Sequence, residues 1–144
     1  MEKAPQIIAE EIHLLKIEVV QNKLDVSGFK KAQKPALGLG YKFMHNLKDE
    51  RVKLELIFSF KDSKEQEILF VQIDFHFHIE KMDNFYQLKE ENKPIFLAAM
   101  IATLLGICLS TARGIIFEKL ESNGIKNVII PVISPQKLLT QPHS

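Results

Sequence analysis

Asp74, His76, His78 and Glu80 stand at two-residue spacing in a stretch that alternates apolar and polar residues. In a β-strand that spacing puts all four side chains on one face, with neighbours about 7 Å apart. A His-x-His pair on a strand can give two nitrogen ligands to one metal ion, and a carboxylate can complete the set. His76, His78 and Asp74 are therefore the candidates for a metal site. His45, on another predicted strand, is the one obvious source of a further ligand. The commoner explanation of such a run is the solvated face of a half-buried strand. That is the expectation carried forward, with no metal and no cofactor assigned.

Other chemistry is poorly provided for. Cys108 is the single cysteine and sits in an uncharged helical stretch, where a thiol is packing rather than a nucleophile. There is no G-x-S-x-G elbow and no P-loop, and Gly38-Leu39-Gly40 lacks the third glycine and following helix of a dinucleotide loop. Glu10-Glu11 and Glu90-Glu91 fall at loops or element ends, where solvated charge is the ordinary reading. An enzyme is not expected. Lys23, Lys30, Lys31 and Lys34 lie close in sequence, but a net charge of +1 argues against a nucleic-acid partner.

The elements that would position these residues are mostly strands. Ile12 to Val20 is rich in aliphatic and β-branched residues and reads as a first strand. Asn22 to Pro35, lysine-rich with Gly28, reads as a short strand and a solvated connection. From Ala36, alternation places Leu37, Leu39, Tyr41, Phe43 and His45 on one face. After a turn at Asn46 to Glu50, Val52, Leu54, Leu56, Phe58 and Phe60 alternate with Lys53, Glu55, Ile57, Ser59 and Lys61. A polar turn from Lys61 to Glu67 leads to a strand whose Leu69, Val71, Ile73, Phe75, Phe77 and Ile79 oppose the Asp-His-His-Glu series. Short turns imply antiparallel hairpins, so the expectation is a sheet of about four strands.

A long helix follows, predicted from Pro94 to Gly124, with Pro94 in the first turn and Gly124 at the left-handed stop. Ala98, Ala102, Leu105, Leu109, Ala112 and Ile116 recur at 4-3-4-3-4 spacing, the seam of a helix laid against a partner. Gly106 and Gly114 suggest close approach of another backbone. Ile95 to Ala112 is uncharged and just long enough to cross a bilayer of about 30 Å. Thr103, Ser110, Thr111 and the amphipathic continuation past Arg113 favour a core helix over a membrane span. Beyond it, Val128 to Ile133 is an extended apolar segment broken by Pro131, and Ser134-Pro135 opens a short helix to about Leu139. Both chain ends read as loose.

With 46% apolar and 26% charged residues, the 144 residues suit one globular domain, 1–144. A lone cysteine excludes an internal disulfide and fits a reducing cytoplasm. No apolar run of signal-peptide length precedes Glu10, so export of the chain itself is not expected.

The order of these features resembles the SecB family of export chaperones. The resemblance is carried by Thr111-Ala112-Arg113, Ile115-Ile116, Gly124, Val128-Ile129-Ile130-Pro131-Val132 and Ser134 to Leu139. It implies an α+β fold: a four-stranded antiparallel sheet with one long helix on one face and a short C-terminal helix. It also implies self-association to a dimer, or to a tetramer built as a dimer of dimers. The implied activity is ATP-independent holding of unfolded polypeptide in apolar grooves. Groove residues implied in this way are Ile129, Ile130, Val132 and Ile133, with Phe85 and Tyr86 as additions. Ala98, Ala102, Gly106, Leu109 and Arg113 are the corresponding candidates for the oligomer interface. Classical members are strongly acidic and dock the SecA motor through an acidic sheet surface. This chain is near neutral and puts Lys53 and Lys61 beside Glu55, so SecA is not an expected partner. The alternatives are a dedicated interaction subunit, such as an antitoxin-guarding relative, and a metal-binding protein using His76 and His78.

Overall fold

A computed structural model describes residues 5–140; the expected loose tail, 141–144, and the first half of the expected loose lead-in, 1–8, lie outside the described residues, and residues 5–8 belong to no helix or strand. Four long strands form one antiparallel sheet. They are β1 (Ile12–Leu24), β2 (Ala36–Asn46), β3 (Arg51–Lys61) and β4 (Glu67–Ile79), in the spatial order β1-β4-β3-β2. Leu56 lies opposite both Tyr41 of β2 and Ile73 of β4, so the apolar faces of three strands coincide. The two hairpin turns are made by short acidic and amide side chains. Asn46 accepts from the Asp49 N–H at 3.2 Å, and one Asp62 oxygen accepts from the N–H groups of Lys64 and Gln66, each at 2.9 Å. Such bonds let a side chain stand in for a turn of backbone.

Between β1 and β2 the chain forms a helix that the sequence reading took for a connection. This is α1 (Val26–Lys31). Asp25 caps it, accepting from the Gly28 N–H at 3.0 Å. A Cβ at Gly28 would run into that same carboxylate, so the glycine is what lets the cap close. Phe29 of α1 is buried against Phe60, with ring centroids 5.3 Å apart.

The long helix begins later than predicted. Pro94 belongs to a short strand, β6 (Pro94–Phe96), paired with β5 (Tyr86–Leu88). Proline suits a short two-stranded ribbon as well as a first helical turn, since neither position needs its missing N–H. Phe96 packs on Phe43 and Tyr86, at centroid distances of 5.0 and 5.3 Å, and so holds this ribbon against β2. The helix α2 then runs Ala98–Ser122. It is long and apolar enough to cross a bilayer by length and composition. Met100, Leu104, Leu105, Cys108, Ala112 and Ile116 are nevertheless buried, packed over β3 and β4 as part of the core.

The helix stop is as predicted. Ile125 N–H bonds back to Leu120 at 2.9 Å and Gly124 N–H to Glu121 at 3.1 Å, with Gly124 at φ +78. That is the six-to-one and five-to-two pairing of a left-handed glycine stop. The chain then returns along α2 to α3 (Pro135–Thr140), whose Leu138 is buried. At Gly106 the approaching group is the ring of Pro135, 3.7 Å from where a Cβ would stand. Among the described residues nothing beyond its own helical turn comes within 4 Å of where a Cβ would stand at Gly114.

Candidate functional site

The Asp-His-His-Glu series does share one face, as its spacing requires, but each member has a different partner. Asp74 is almost fully buried and lies 3.4 Å from Lys53 Nζ, while Gln72 Nε2 donates to it at 3.1 Å. His76 Nε2 is 3.1 Å from Glu18 of β1, His78 Nε2 is 3.9 Å from Glu50, and Glu80 is 3.0 Å from His13 Nε2. Burial pulls the Lys53 ammonium down, yet the charges and hydrogen bonds of Asp74 and Glu55 outweigh it and its pKa is raised. The hydrogen bond from His13 holds the Glu80 carboxyl below the ordinary glutamate value. His45 lies apart, against the Phe96 ring at 5.6 Å. Among the described residues no group of three or more such side chains is placed to hold a metal ion. The face is a ladder of cross-strand pairs. Cys108 is inert, since burial pushes its thiol far above the usual range.

The opposite face of the sheet leaves apolar surface open at β1. Leu14, Ile17 and Val19 register with Phe77, Phe75 and Ile73 of β4, so they continue the face that α2 covers. Phe75, Phe77 and Ile73 are fully buried, whereas Leu14, Ile17 and Val19 keep 41%, 40% and 43% of their surface exposed. Between β1 and α2 lies a hollow of about 610 Å³ lined by Ile7, Ile12, Leu14, Phe77, Thr103 and Ile107, with Ala9 at its edge.

A second open surface follows α2. Residues 128–133 belong to no helix or strand, and among the described residues none of their backbone groups takes part in a backbone–backbone hydrogen bond. The segment is fixed from below: Ile130 is buried, and Arg113 Nε donates to its carbonyl at 3.0 Å. Ile129 and Val132 face outward, 63% and 87% exposed.

No protein-family model matches the chain, and no curated protein matches it. Among solved structures it is similar to the Mycobacterium tuberculosis SecB-like chaperone Rv1957, solved in complex with a ChAD peptide from the HigA1 antitoxin. The match has a TM-score of 0.51 at 9% identity and covers 88% of this chain and 93% of that one. The fold is SecB-like.

Within the SecB-like frame the candidate groove residues separate by depth. Ile129 and Val132 are outward, Ile133 and Tyr86 are half-buried, and Ile130 and Phe85 belong to the core. Of the candidate interface residues, Ala98 is exposed, while Ala102 and Leu109 are buried inside this chain. Gly106 meets Pro135, and Arg113 holds Ile130. The open face of β1 escaped the sequence reading. Its signal was present: five of the seven residues from Leu14 to Val20 are aliphatic, more than one buried face of a strand needs.

Proposed function

We propose that this chain is an ATP-independent holdase that binds unfolded or partly folded polypeptide, with Ile129 and Val132 as the contact residues, Ile133 half-buried in the same segment and Tyr86 as a further candidate. Ile130 anchors the segment from beneath, while Phe85 belongs to the core. The observation that carries this reading is the segment 128–133, an apolar stretch outside any helix or strand, held in place by Arg113 yet without backbone hydrogen-bond partners among the described residues. An extended client can pair with such a backbone while its side chains meet Ile129 and Val132. The SecB-like fold supports the same reading. Apolar surface of this kind is avoided by proteins that bind nothing.

Self-association to a dimer or tetramer belongs to the proposal. It is supported by the uncovered apolar face of β1 and by Ala98 at the exposed start of α2. A cytoplasmic setting is proposed with it, and protein export is one pathway it would serve. SecA is not proposed as a partner, because the ladder face mixes Lys53 with Glu55 and Asp74.

A dedicated subunit for one partner is the second reading. It is favoured by the similar structure having been solved with an antitoxin peptide. The deciding experiment is suppression of aggregation of several unrelated unfolded proteins, with light scattering on the free protein. The holdase reading expects suppression at up to stoichiometric amounts, a tetramer or dimer, and loss of suppression in Ile129→Asp/Val132→Asp. No suppression, together with one tight partner recovered, establishes the dedicated subunit instead.

A further inference from the structure

We propose that Arg113 is a carboxylate-reading group beside the apolar segment, so that the preferred ligand is an extended polypeptide carrying an acidic group next to its apolar residues. The proposal deepens the polypeptide-binding reading and rests on it.

Arg113 is the only charged residue of α2 before Glu118, and it is half-buried. Its Nε is used, donating to the Ile130 carbonyl at 3.0 Å. No carboxylate pairs with it among the described residues, where the nine ion pairs leave it out. The two terminal nitrogens therefore have no acceptor among the described residues. They are not sealed in the interior either, because no buried side-chain nitrogen or oxygen among the described residues lacks a partner. The guanidinium is thus tethered at one edge, with its outer nitrogens open to solvent beside a backbone free of strand partners.

A planar fork in that position matches a carboxylate, and its tether to Ile130 sets its orientation in advance. The described residues that follow in sequence do not compete. Residues 127–136 carry no charge. Glu121, the nearest acid in sequence after Glu118, is engaged by Lys126 at 3.1 Å and by the Asn127 N–H at 3.2 Å. These contacts hold its carboxyl below the ordinary value, the Asn127 bond most of all. Lys137 of α3 is exposed and has no ion-pair partner among the described residues, which adds positive charge at the far end of the segment. Two sources supply the same ligand chemistry: an Asp or Glu side chain within the client, or the carboxylate at its C-terminus.

The test is a panel of labelled peptides with identical apolar residues, bound to the full chain and followed by fluorescence anisotropy. One position next to the apolar pair is Glu, Gln or Lys, and each peptide is made with a free or an amidated C-terminus. The Glu peptide is expected to bind about tenfold more tightly than the Gln peptide, with the Lys peptide weakest. A preference that follows the free C-terminus instead assigns the same site to terminal carboxylates. Arg113→Gln should bring the Glu and Gln peptides to equal affinity, and Arg113→Lys should keep part of the difference. The ratio between peptides is read within each variant, so a general shift of the segment does not mimic the result. Equal binding of all peptides by the wild-type protein overturns the carboxylate site while leaving polypeptide binding intact. Failure of every peptide to bind overturns both.

Discussion

β3 and β1 carry apolar side chains to the same face of the sheet and end in opposite situations. On β3, Leu54, Leu56 and Phe58 are fully buried beneath α2. On β1, Leu14, Ile17 and Val19 continue the same face and stay about two-fifths exposed. What differs is the cover. α2 lies over β3 and β4, and the hollow between α2 and β1 is left unfilled by the chain's own residues. An apolar face is thus closed into the core where the chain covers it and stays open to water where it does not. The segment 128–133 repeats the contrast at single-residue scale, with Ile130 beneath and Ile129 and Val132 above.

The sharpest way to break this comparison is to truncate one residue on each strand. Phe58→Ala leaves a void in a closed core and should destabilise the protein by about 3–5 kcal/mol. Ile17→Ala removes a side chain already partly in water and should cost about 1 kcal/mol or less. Denaturant unfolding of both variants decides it. Equal losses would show that β1 is covered in solution by something stable, such as a second copy. A smaller effect is expected at the helix stop that aims the 128–133 segment. Gly124→Ala puts a Cβ on a left-handed residue, 3.2 Å from Lys30 Nζ, and should cost about 1–2 kcal/mol in the same assay. No measurable loss would show that the segment does not depend on this turn.

These contrasts also mark what the sequence makes legible. Strict alternation in β3 and β4 identifies the faces, and the 4-3-4 seam of α2 names Ala98, Ala102, Leu105, Leu109, Ala112 and Ile116, all buried except Ala98 at the exposed start of the helix. Local stop chemistry at Gly124 and start chemistry at Ser134-Pro135 are readable for the same reason, because a few neighbouring residues determine them. Coverage is not local. Nothing within β1 says that α2 packs chiefly over β3 and β4. The Asp74, His76, His78 and Glu80 series shows the same limit. Spacing places the four on one face, but Glu18, Glu50 and His13 come from distant stretches and divide them among separate pairs. At Asn22 to Pro35 the cap of Asp25 on Gly28 is local, yet lysines and a glycine disguised α1 as a connection. Pro94 satisfied a helix start and a ribbon strand equally, and only the pairing of Tyr86 with Phe96 chose between them.

A charge placed on the open face of β1 should change association more than stability. Ile17→Asp/Val19→Asp puts two carboxylates where the side chains are already wet, so each should cost under about 1 kcal/mol in the monomer. If a second copy covers that face, the same charges have to be buried, and light scattering should show a shift toward monomer. An unchanged assembly would place the contact elsewhere on the chain.

The smallest effect concerns the outer side of β1, which is held by exposed side-chain pairs rather than by burial. Glu80 has its carboxyl lowered by the His13 hydrogen bond, with the nearby charges of His13, His78 and Lys81 acting in the same direction and partial desolvation opposing them. A carboxylate whose folded pKa is depressed contributes stability that is fully present above its unfolded value, here about 4.5. That contribution is lost as pH falls through the lower folded value. The stability difference between the wild-type protein and Glu80→Gln should therefore be constant near neutrality and fade below about pH 4.5. His13→Ala should remove most of it, and added salt should weaken it, since both partners are solvent-exposed. Thermal unfolding across a pH series gives the measurement. A difference that survives unchanged into strong acid would mean that Glu80 acts through packing, and that the outer side of β1 is held as its neighbours in the core are.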